Sequence, residues 1–286
     1  MPLALTNVSC VYQTGTPAEV TALRDISLSI EDGEFVGIIG HTGSGKTSMI
    51  QAAAGLLAPT SGNVYLDGKD INAPGYDRQE LRKNVGLVFQ YPTHQLFETT
   101  VEKDVAFGLK YSGLSPDEVG ERVRWALQVV GLPFDEIRQF SPLALSGGEK
   151  RRVAIAGILV SRPRFLILDE PIAGLDPRCR DSFMRMMARL NANGTTIIMV
   201  SHNIDVLGEH AKRLIVFDSG KVVMDGTTAQ VFADPRRLKE LRLQPSTPRI
   251  IADMLSERGL PIPPDTVSYK QLLDALLLGL ERRGVS

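Results

Sequence analysis

The chain has 286 residues, of which 43% are hydrophobic and 23% are charged, and its formal net charge is −1. This composition is that of a folded globular protein, and the lack of a basic excess argues against nucleic acid as a partner. The cysteines, Cys10 and Cys179, lie far apart in the sequence, which favours free thiols in a reducing compartment. No basic segment followed by a long apolar run starts the chain, and the most apolar tail stretch is less than half a membrane span. We therefore expect neither a signal peptide nor a transmembrane helix.

The first predicted elements are strands. The pattern predicts strands over residues 3–12 and 20–30, on either side of a turn-rich segment. The buried strand EFVGIIG runs directly into glycine, and a helix is expected to begin near Gly45. A short hairpin with an Asp67-Gly68 turn follows, so this part of the chain is predicted to be rich in strands.

From about residue 77 to 142 the pattern is more helical and more mixed. Ser115, followed by Pro116, is a candidate cap for one of these helices. Further on, RFLILDE, GTTIIMVSH and AKRLIVFDSGKVVMDG are apolar strands separated by helices. Helices that alternate with continuous apolar strands predict an α/β fold whose parallel sheet is covered on both faces.

After about residue 240 the composition changes, and proline-rich turns surround two short amphipathic helices. These helices are expected near residues 247–258 and 268–281. Their apolar residues follow helical spacing and are Ile250, Ile251, Met254, Leu255, Leu272, Leu273, Leu276 and Leu277.

The segment GHTGSGKT fits the pattern G-x-x-x-x-G-K-[ST] between a strand and a helix, and we call it the phosphate loop (residues 40–47). Its glycines allow backbone N–H groups to surround nucleotide phosphates, Lys46 supplies a charge for the outer phosphates, and Thr47 can hold Mg²⁺. The candidate nucleotide-binding residues here are Gly40, His41, Thr42, Gly43, Ser44, Gly45, Lys46, Thr47 and Ser48. For His41, a tolerated loop side chain is the favoured interpretation.

The strand RFLILDE ends in two carboxylates, Asp169 and Glu170. In a protein with a phosphate loop such a strand lies beside the loop, so Asp169 can reach Mg²⁺ and Glu170 can polarise an attacking water. The alternative is a helix cap or a surface pair after a strand.

The segment LSGGEKRR, which we call the signature segment (residues 145–152), resembles the signature motif of the ATP-binding cassette (ABC) ATPases. The order of motifs also resembles that family: phosphate loop, Gln90, signature, Asp-Glu pair, AGLD loop and His202. The resemblance covers about residues 3–235. It implies a P-loop cassette with a mostly parallel core sheet, an antiparallel β subdomain and a helical subdomain. The implied division of the chain is an ATPase domain at 1–240, a helical subdomain within it at about 91–160, and a C-terminal helical extension at 241–286.

In that family two cassettes pair head to tail, so the signature of one closes over the ATP held by the phosphate loop of the other. The resemblance therefore implies that Ser146, Gly147, Gly148 and Glu149 bind a partner's nucleotide. A helix N-terminus supplies N–H donors and partial positive charge without a lysine. The alternative is a capping box between Ser146 and Glu149, although two consecutive glycines are poor helix formers.

The same resemblance implies roles for four further residues. Tyr12 occupies the position of the aromatic residue that stacks on adenine, with strand packing as the alternative. Gln90 would contact Mg²⁺ and the attacking water, and Asp176 lies in the loop that meets the opposite cassette. His202 would touch the γ-phosphate and hold Glu170 in place.

Several segments are similar to the ATPases of energy-coupling factor (ECF) transporters, which are relatives of cobalt-importer ATPases. They are GHTGSGKT, FQYPTHQLFETTVEKDVAFG, LSGGEKRRVAIAG and PSTPRIIADMLSERGLPIP, and they are most similar to the second member of an unequal ATPase pair. The resemblance implies a peripheral subunit at the cytoplasmic face of a prokaryotic membrane, where ATP hydrolysis powers uptake of vitamins or transition-metal ions. The implied partners are a non-identical second ATPase, a membrane coupling protein and a small substrate-capture membrane protein.

Two alternatives stay open at this point: a cobalt- or nickel-type importer ATPase acting as a homodimer, and a soluble ABC ATPase without a transport role. The segment YPTHQLFE, which we call the docking loop (residues 91–98), is implied to meet the coupling protein, with ordinary packing as the alternative. The tail helices are interpreted as a candidate dimerisation element, and packing on the chain's own sheet domain is equally open. The sequence does not indicate the transported substrate.

Overall fold

The computed structural model describes residues 2–260 and 262–282, so residue 1, residue 261 and residues 283–286 of the predicted domains lie outside the described residues. The strands are β1 (Leu3–Tyr12), β2 (Val20–Ile30), β3 (Phe35–Gly40), β4 (Ser61–Leu66), β5 (Lys69–Asp70), β6 (Val85–Val88), β7 (Phe165–Asp169), β8 (Thr196–Val200), β9 (Arg213–Asp218) and β10 (Lys221–Thr227). The helices are α1 (Lys46–Ala53), α2 (Arg78–Asn84), α3 (Val101–Phe107), α4 (Pro116–Val129), α5 (Phe134–Ile137), α6 (Gly147–Leu159), α7 (Pro177–Ala192), α8 (Ile204–His210), α9 (Thr228–Phe232), α10 (Pro235–Glu240), α11 (Thr247–Glu257) and α12 (Tyr269–Arg282).

The larger sheet has six strands in the order β10-β9-β3-β8-β7-β6. All of its neighbouring strands are parallel except β9 and β10, which form an antiparallel pair at one edge. In register, Gly40 lies beside Phe217, and Asp169 lies beside Val200. The carboxyl ends of the five parallel strands therefore lie at one edge, which is where a parallel sheet of this kind places its ligands.

Both faces of this sheet are covered, as the continuous apolar strands predict. Alternate residues of β7 belong to different cores, because Leu166 and Leu168 pack with the helices of the 101–160 region while Phe165 and Ile167 pack with α1 and the smaller sheet. The side-chain period of two in a strand directs neighbours to opposite faces, so a strand buried on both sides must be apolar throughout.

The smaller sheet is antiparallel, in the order β2-β1-β4-β5. The predicted hairpin is confirmed, since Asp67 and Gly68 have φ of 53° and 76° and join β4 to β5. One expectation needs correction: the run AKRLIVFDSGKVVMDG is two strands, β9 and β10, that turn at Ser219 and Gly220. Both turn residues have positive φ, the geometry that suits a tight hairpin.

The predicted cap at Ser115 is confirmed. The Ser115 hydroxyl oxygen accepts from the Glu118 backbone N–H, and the Glu118 side chain accepts from the Ser115 N–H, so α4 begins in a capping box. Within the region at about 77–142 that is predicted to be more helical, α3 ends at Phe107, and turns follow as far as Ser112.

The tail contacts its own cassette at one end and leaves an apolar face outside. The backbone N–H of Thr247 and the Tyr269 hydroxyl donate to the two carboxylate oxygens of Asp205 on α8, at 2.7 and 3.1 Å. A small core forms between α11 and α12 around Ala252 and Leu272. The exposed apolar residues of these helices are Ile250, Met254, Leu273, Leu277 and Leu278. No helix within the described ranges is long and apolar enough to cross a membrane.

Candidate active site

The phosphate loop needs its glycines for two physical reasons. Gly40, Gly43 and Gly45 have φ of 153°, 81° and 105°, a region that L side chains rarely adopt. A Cβ on Gly40 would lie 2.4 Å from the Phe217 carbonyl oxygen, and one on Gly45 would lie 2.5 Å from the Ala22 carbonyl oxygen. The loop therefore packs closely against the backbone of β9 at Gly40 and of β2 at Gly45. Because these positions carry no side chain, the backbone of the loop is accessible from the pocket.

Lys46 lies at the buried start of α1. Its Nζ donates to the carbonyl oxygens of Gly40 and His41, at 2.8 and 2.9 Å. Burial lowers the pKa of Lys46, and the nearby carboxylates of Glu170 and Asp169 act in the opposite direction. Next to it, the Ser44 hydroxyl is buried and has no hydrogen-bond partner among the described residues. An unpaired polar group in such a place is costly unless a ligand satisfies it.

The pair suited to a divalent cation is Thr47 and Asp169. The Thr47 hydroxyl donates to Asp169 Oδ2 at 3.2 Å, so two hard oxygens lie together beside the loop. Burial raises the pKa of Asp169, while the Thr47 hydrogen bond and the Lys46 charge favour its ionised form.

Glu170 follows β7 in a strained backbone conformation, with φ of 48°. Its backbone N–H donates to the Val200 carbonyl oxygen at 3.0 Å, and its Oε2 accepts from the His202 N–H at 3.3 Å. Its Oε1 lies 3.5 Å from His202 Nε2. Burial raises the pKa of Glu170, which makes its carboxylate a stronger base than a free glutamate.

These residues line one open pocket of about 410 Å³. The predicted residues that the structure brings together there are Tyr12, Thr42, Gly43, Ser44, Gly45, Lys46, Thr47, Ser48, Gln90, Asp169, Glu170 and His202. The sequence analysis missed the β2 residues Val20, Thr21 and Ala22 on the same wall. Tyr12 pairs with Val20 across the antiparallel strands, and its hydroxyl lies 3.2 Å from the Ser48 hydroxyl. The half-exposed Tyr12 ring can therefore meet a flat ligand at the pocket rim.

The signature segment lies outside this pocket. Ser146 caps α6 in a capping box: its hydroxyl oxygen accepts from the Glu149 N–H at 3.4 Å, and Glu149 Oε2 accepts from the Ser146 N–H at 2.9 Å. The alternative of a capping box is therefore present. Gly147 and Gly148 face open space, since a Cβ on either would meet nothing within 4 Å. The first turn of α6 thus presents bare backbone outward.

Asp176 also lies outside the pocket and has a local role that the sequence analysis missed. Its Oδ1 accepts from the Cys179 N–H at 3.0 Å and caps α7. The hydrogen bond from the Cys179 thiol, together with that from the Cys179 N–H, lowers the pKa of Asp176. An aspartate directly before a proline that opens a helical pattern is a signal that could have indicated the cap.

A second missed contact concerns His41. Its Nε2 lies 2.9 Å from Asp218 Oδ1, and its Nδ1 lies 2.8 Å from the Thr42 carbonyl oxygen. His41 is therefore tied to the end of β9, and the interpretation as a merely tolerated loop side chain does not describe its contacts. A single sequence carries no signal for a pair this far apart.

Comparison with known proteins places these motifs in a wider context. Residues 23–173 match the ABC transporter family. A relative from Caldanaerobacter subterraneus subsp. tengcongensis, named energy-coupling factor transporter ATP-binding protein EcfA2, is 48% identical over 280 residues, 97% of each chain. A protein of the same name from Symbiobacterium thermophilum is 46% identical over 276 residues, 96% of each chain.

Two solved structures share the fold. The cbiO1 protein of Clostridium perfringens, described as part of the ABC transporter complex cbiONQ, matches with a TM-score of 0.73 at 36% identity, over 88% of this chain and 98% of that chain. A dimeric ATP-binding cassette in a post-hydrolysis state, bound to ADP and Pi, matches with a TM-score of 0.70 at 33% identity, over 79% and 98% of the two chains. The likeness therefore extends from the motifs to the fold that carries them.

Proposed function

The chain belongs to the ABC transporter family, within it to the ATP-binding proteins of energy-coupling factor transporters, and we propose on that basis how its residues power an importer. It is an ATPase subunit of an ECF transporter. The observation that carries the proposal is the pocket in which Lys46, Asp169 and Glu170 meet at the carboxyl edge of the sheet. This is the place where a parallel α/β sheet holds a nucleotide.

The proposed nucleotide contacts follow from the loop geometry. The backbone N–H groups of the phosphate loop and the buried Lys46 ammonium bind the phosphates, and the unpaired Ser44 hydroxyl gains a partner. Tyr12 at the rim covers the adenine. His41 is included among the proposed nucleotide-binding residues because it is part of the phosphate loop.

The residues present fit a magnesium ion. Mg²⁺ prefers six oxygen ligands and keeps several waters, so it needs only one or two protein oxygens beside the phosphates. Thr47 and Asp169 supply such a pair, and Gln90 lines the same pocket. The described residues contain no group of three or more His, Cys, Asp or Glu side chains that would form a dedicated metal cage. When bound, the ion neutralises charge that develops on the phosphates.

Glu170 is the proposed base for the attacking water. Burial favours the neutral carboxyl, so Glu170 binds a proton more readily than a free glutamate and can draw it from water. The His202 N–H holds the carboxylate at 3.3 Å, and Gln90 completes the wall of the pocket. The trio Glu170, His202 and Gln90 is therefore the proposed catalytic set.

The signature segment is proposed to act on the nucleotide of a second cassette. It lies outside the chain's own pocket, its glycines face open space, and its helix N-terminus favours anions. Ser146, Gly147, Gly148 and Glu149 supply this surface. Asp176, at the capped start of α7, is proposed to meet the opposite cassette nearby.

The docking loop is proposed to bind a membrane coupling protein. Phe97 is 62% exposed and Tyr91 is 63% exposed, and Phe97 packs edge-on against Phe107 with ring centroids 4.8 Å apart. Asp104 Oδ2 accepts from the N–H groups of Phe97 and Glu98, which fixes the loop backbone. A fixed, exposed aromatic patch is typical of a protein-binding surface.

The tail is proposed to join the two ATPases. Its inner face is held by the chain's own α8, and its outer face leaves Met254, Leu273 and Leu277 exposed. The proposed assembly is a pair of non-identical cassettes with a membrane coupling protein and a small substrate-capture protein, at the cytoplasmic face of a prokaryotic membrane. The proposed cargo is a vitamin or a transition-metal ion.

The test is to purify the tagged chain from its native membranes in mild detergent and identify the chains that accompany it by mass spectrometry. We expect a second cassette and two small membrane proteins, of which the smallest reports the cargo. Recovery from the soluble fraction without a membrane chain would contradict the transport assembly and the role of the docking loop.

The docking loop itself is tested by Phe97→Asp. A carboxylate in the aromatic patch must be desolvated on docking, so we expect recovery of the membrane chains to fall by about tenfold while ATP binding is kept. The matched control is Leu56→Asp, because Leu56 has the same exposed fraction of 62% and lies between α1 and β4. Equal loss of docking and of ATP binding in the Phe97 variant would indicate misfolding and remove the assignment.

A further inference from the structure

Helix α8 begins two residues after His202, the residue that holds the proposed base. The His202 N–H donates to Glu170 Oε2 at 3.3 Å, so the position of the His202 backbone sets the position of that carboxylate. The Asn203 N–H donates to the Ser201 hydroxyl oxygen at 3.1 Å, and Asn203 Oδ1 accepts from the Val206 N–H at 3.1 Å and caps α8. The chain between β8 and the first turn of α8 is therefore closely bonded, so α8 and the His202 backbone should move together.

One face of α8 carries two carboxylates that receive the C-terminal tail. Asp205 and Glu209 are four residues apart, so they lie on the same side of the helix. Thr247 is the first residue of α11, and its N–H donates to Asp205 Oδ1 at 2.7 Å. Tyr269 is the first residue of α12, and its N–H donates to Glu209 Oε2 at 2.9 Å. Since a helix N-terminus has unpaired N–H groups and partial positive charge, each tail helix begins at a carboxylate that suits it.

Between these two carboxylates the tail packs directly on α8. A Cβ on Gly208 would lie 2.8 Å from the Val267 carbonyl oxygen and 3.2 Å from the Ser246 side chain, so no side chain fits at this position without a shift. The Ser246 hydroxyl is buried and donates to the Val267 carbonyl oxygen at 2.7 Å. The contact between the tail and α8 is therefore closely packed as well as hydrogen-bonded.

Asp205 is the tail-binding carboxylate that lies nearer to the proposed catalytic residues. Its Oδ2 accepts from the Tyr269 hydroxyl at 3.1 Å, in addition to the bond from Thr247 to its Oδ1. Asp205 lines an open cavity of about 620 Å³ together with Glu170 and His202. It is not among the described residues that line the nucleotide pocket. Its contacts can therefore influence the position of His202 while the nucleotide contacts are kept.

We propose that Asp205 is a positioning residue for ATP hydrolysis, which ties the tail to the start of α8 and thereby holds His202 against Glu170. This inference rests on the proposed catalytic roles of His202 and Glu170. Asp205 acts through the backbone of α8 and has no assigned contact with the nucleotide or the attacking water. The tail is thereby coupled to the rate of hydrolysis and not to nucleotide binding.

The test compares Asp205→Ala with Glu209→Ala in the purified transporter. Both variants remove a carboxylate that receives the first N–H of a tail helix, so each should lower the melting temperature by about 2–4 °C. Glu209 is the matched control because it makes its contact about one helical turn farther from His202. We expect kcat for ATP hydrolysis to fall by about tenfold in Asp205→Ala and by less than about twofold in Glu209→Ala. KM for ATP should keep its wild-type value in both.

Two milder variants keep the test independent of the folding of the tail. Tyr269→Phe removes one hydroxyl from Asp205 and keeps the ring and the backbone bond to Glu209, so kcat should fall by about two- to fivefold. The double variant of Asp205→Ala with Tyr269→Phe should be no slower than Asp205→Ala, because both changes break the same hydrogen bond. Asp274→Asn changes an exposed carboxylate of α12 and should follow the wild-type chain.

The outcomes separate the positioning role from the proposed function. Equal kcat values in Asp205→Ala and Glu209→Ala would remove the special role of Asp205. A fall in kcat with an equal loss of ATP affinity, or additive effects in the double variant, would indicate a structural disturbance, so the positioning role would be wrong while the ATPase assignment stands. If the wild-type transporter hydrolyses no ATP, the proposed function fails and the positioning role fails with it.

Discussion

The phosphate loop and the signature segment are two candidate phosphate sites built in different ways. In the loop, Lys46 is buried and bonded to two carbonyl oxygens, and the backbone is held against β2 and β9. In the signature segment, the Ser146 side chain bonds to Glu149 within its own first turn, and the glycines face open space. The loop is preorganised inside one chain, whereas the signature segment presents a surface that a second chain must meet. The two should therefore respond differently to substitution.

The largest expected effect is that of Glu170→Gln, which tests whether the loop site alone performs the chemistry. Glutamine keeps the size of the side chain and cannot accept the proton, so we expect ATP hydrolysis by the purified transporter to fall by about 10²- to 10⁴-fold. ATP binding should persist, because the loop contacts are intact, and the paired cassettes should stay closed in size-exclusion chromatography with ATP.

The control for Glu170→Gln is Glu121→Gln, which changes an exposed carboxylate of α4 and should leave turnover as it is. Full turnover in the Glu170 variant would show that another group activates the water. The assignment of catalysis to Glu170 beside the phosphate loop would then be wrong.

Lys46→Ala is expected to have the second-largest effect and to separate the two phosphate sites. Removal of a buried ammonium leaves two carbonyl oxygens and the bound phosphates without their donor, so ATP affinity of the isolated chain should fall by about 10- to 100-fold. Lys69→Ala removes an exposed lysine paired with Glu80 and serves as the control. Unchanged ATP affinity in a folded Lys46 variant would show that the nucleotide does not bind at the phosphate loop.

Much of the fold could be predicted because its determinants are local. Strand alternation predicted β1 and β2 with their ends, the Asp67-Gly68 pair marked a hairpin, and Ser115 before Pro116 marked a helix cap. The β9–β10 hairpin was missed although its Ser-Gly pair is a turn signal, because the apolar run continues on both sides.

The candidate site was predictable only in part, for a physical reason. The loop and the Asp-Glu pair are short motifs whose chemistry can be recognised in a sequence, and the sheet places them at one edge. The pairing of His41 with Asp218 and the closeness of Gly40 to Phe217 depend on strands that meet only in three dimensions. The tail could not be resolved either, because α11 and α12 are apolar toward their own chain and also toward solvent.

The smallest expected effect is the most informative about the signature segment, because the chain contains a built-in control. Ser115 and Ser146 both begin helices in capping boxes of the same design, with Glu118 and Glu149 as partners. As caps alone, Ser115→Ala and Ser146→Ala should each cost about 1 kcal/mol of stability and lower the melting temperature by about 2–4 °C. If Ser146 also donates to a nucleotide held by a second cassette, only Ser146→Ala should slow ATP hydrolysis, by about tenfold, with ATP affinity of the isolated chain unchanged.

Thermal melts and ATP turnover, measured in parallel on the two variants, distinguish a helix cap from a nucleotide donor. Equal turnover in the two variants would reduce Ser146 to a helix cap, and the contrast between an internal phosphate site and one completed by a second chain would then rest on the backbone of Gly147 and Gly148 alone.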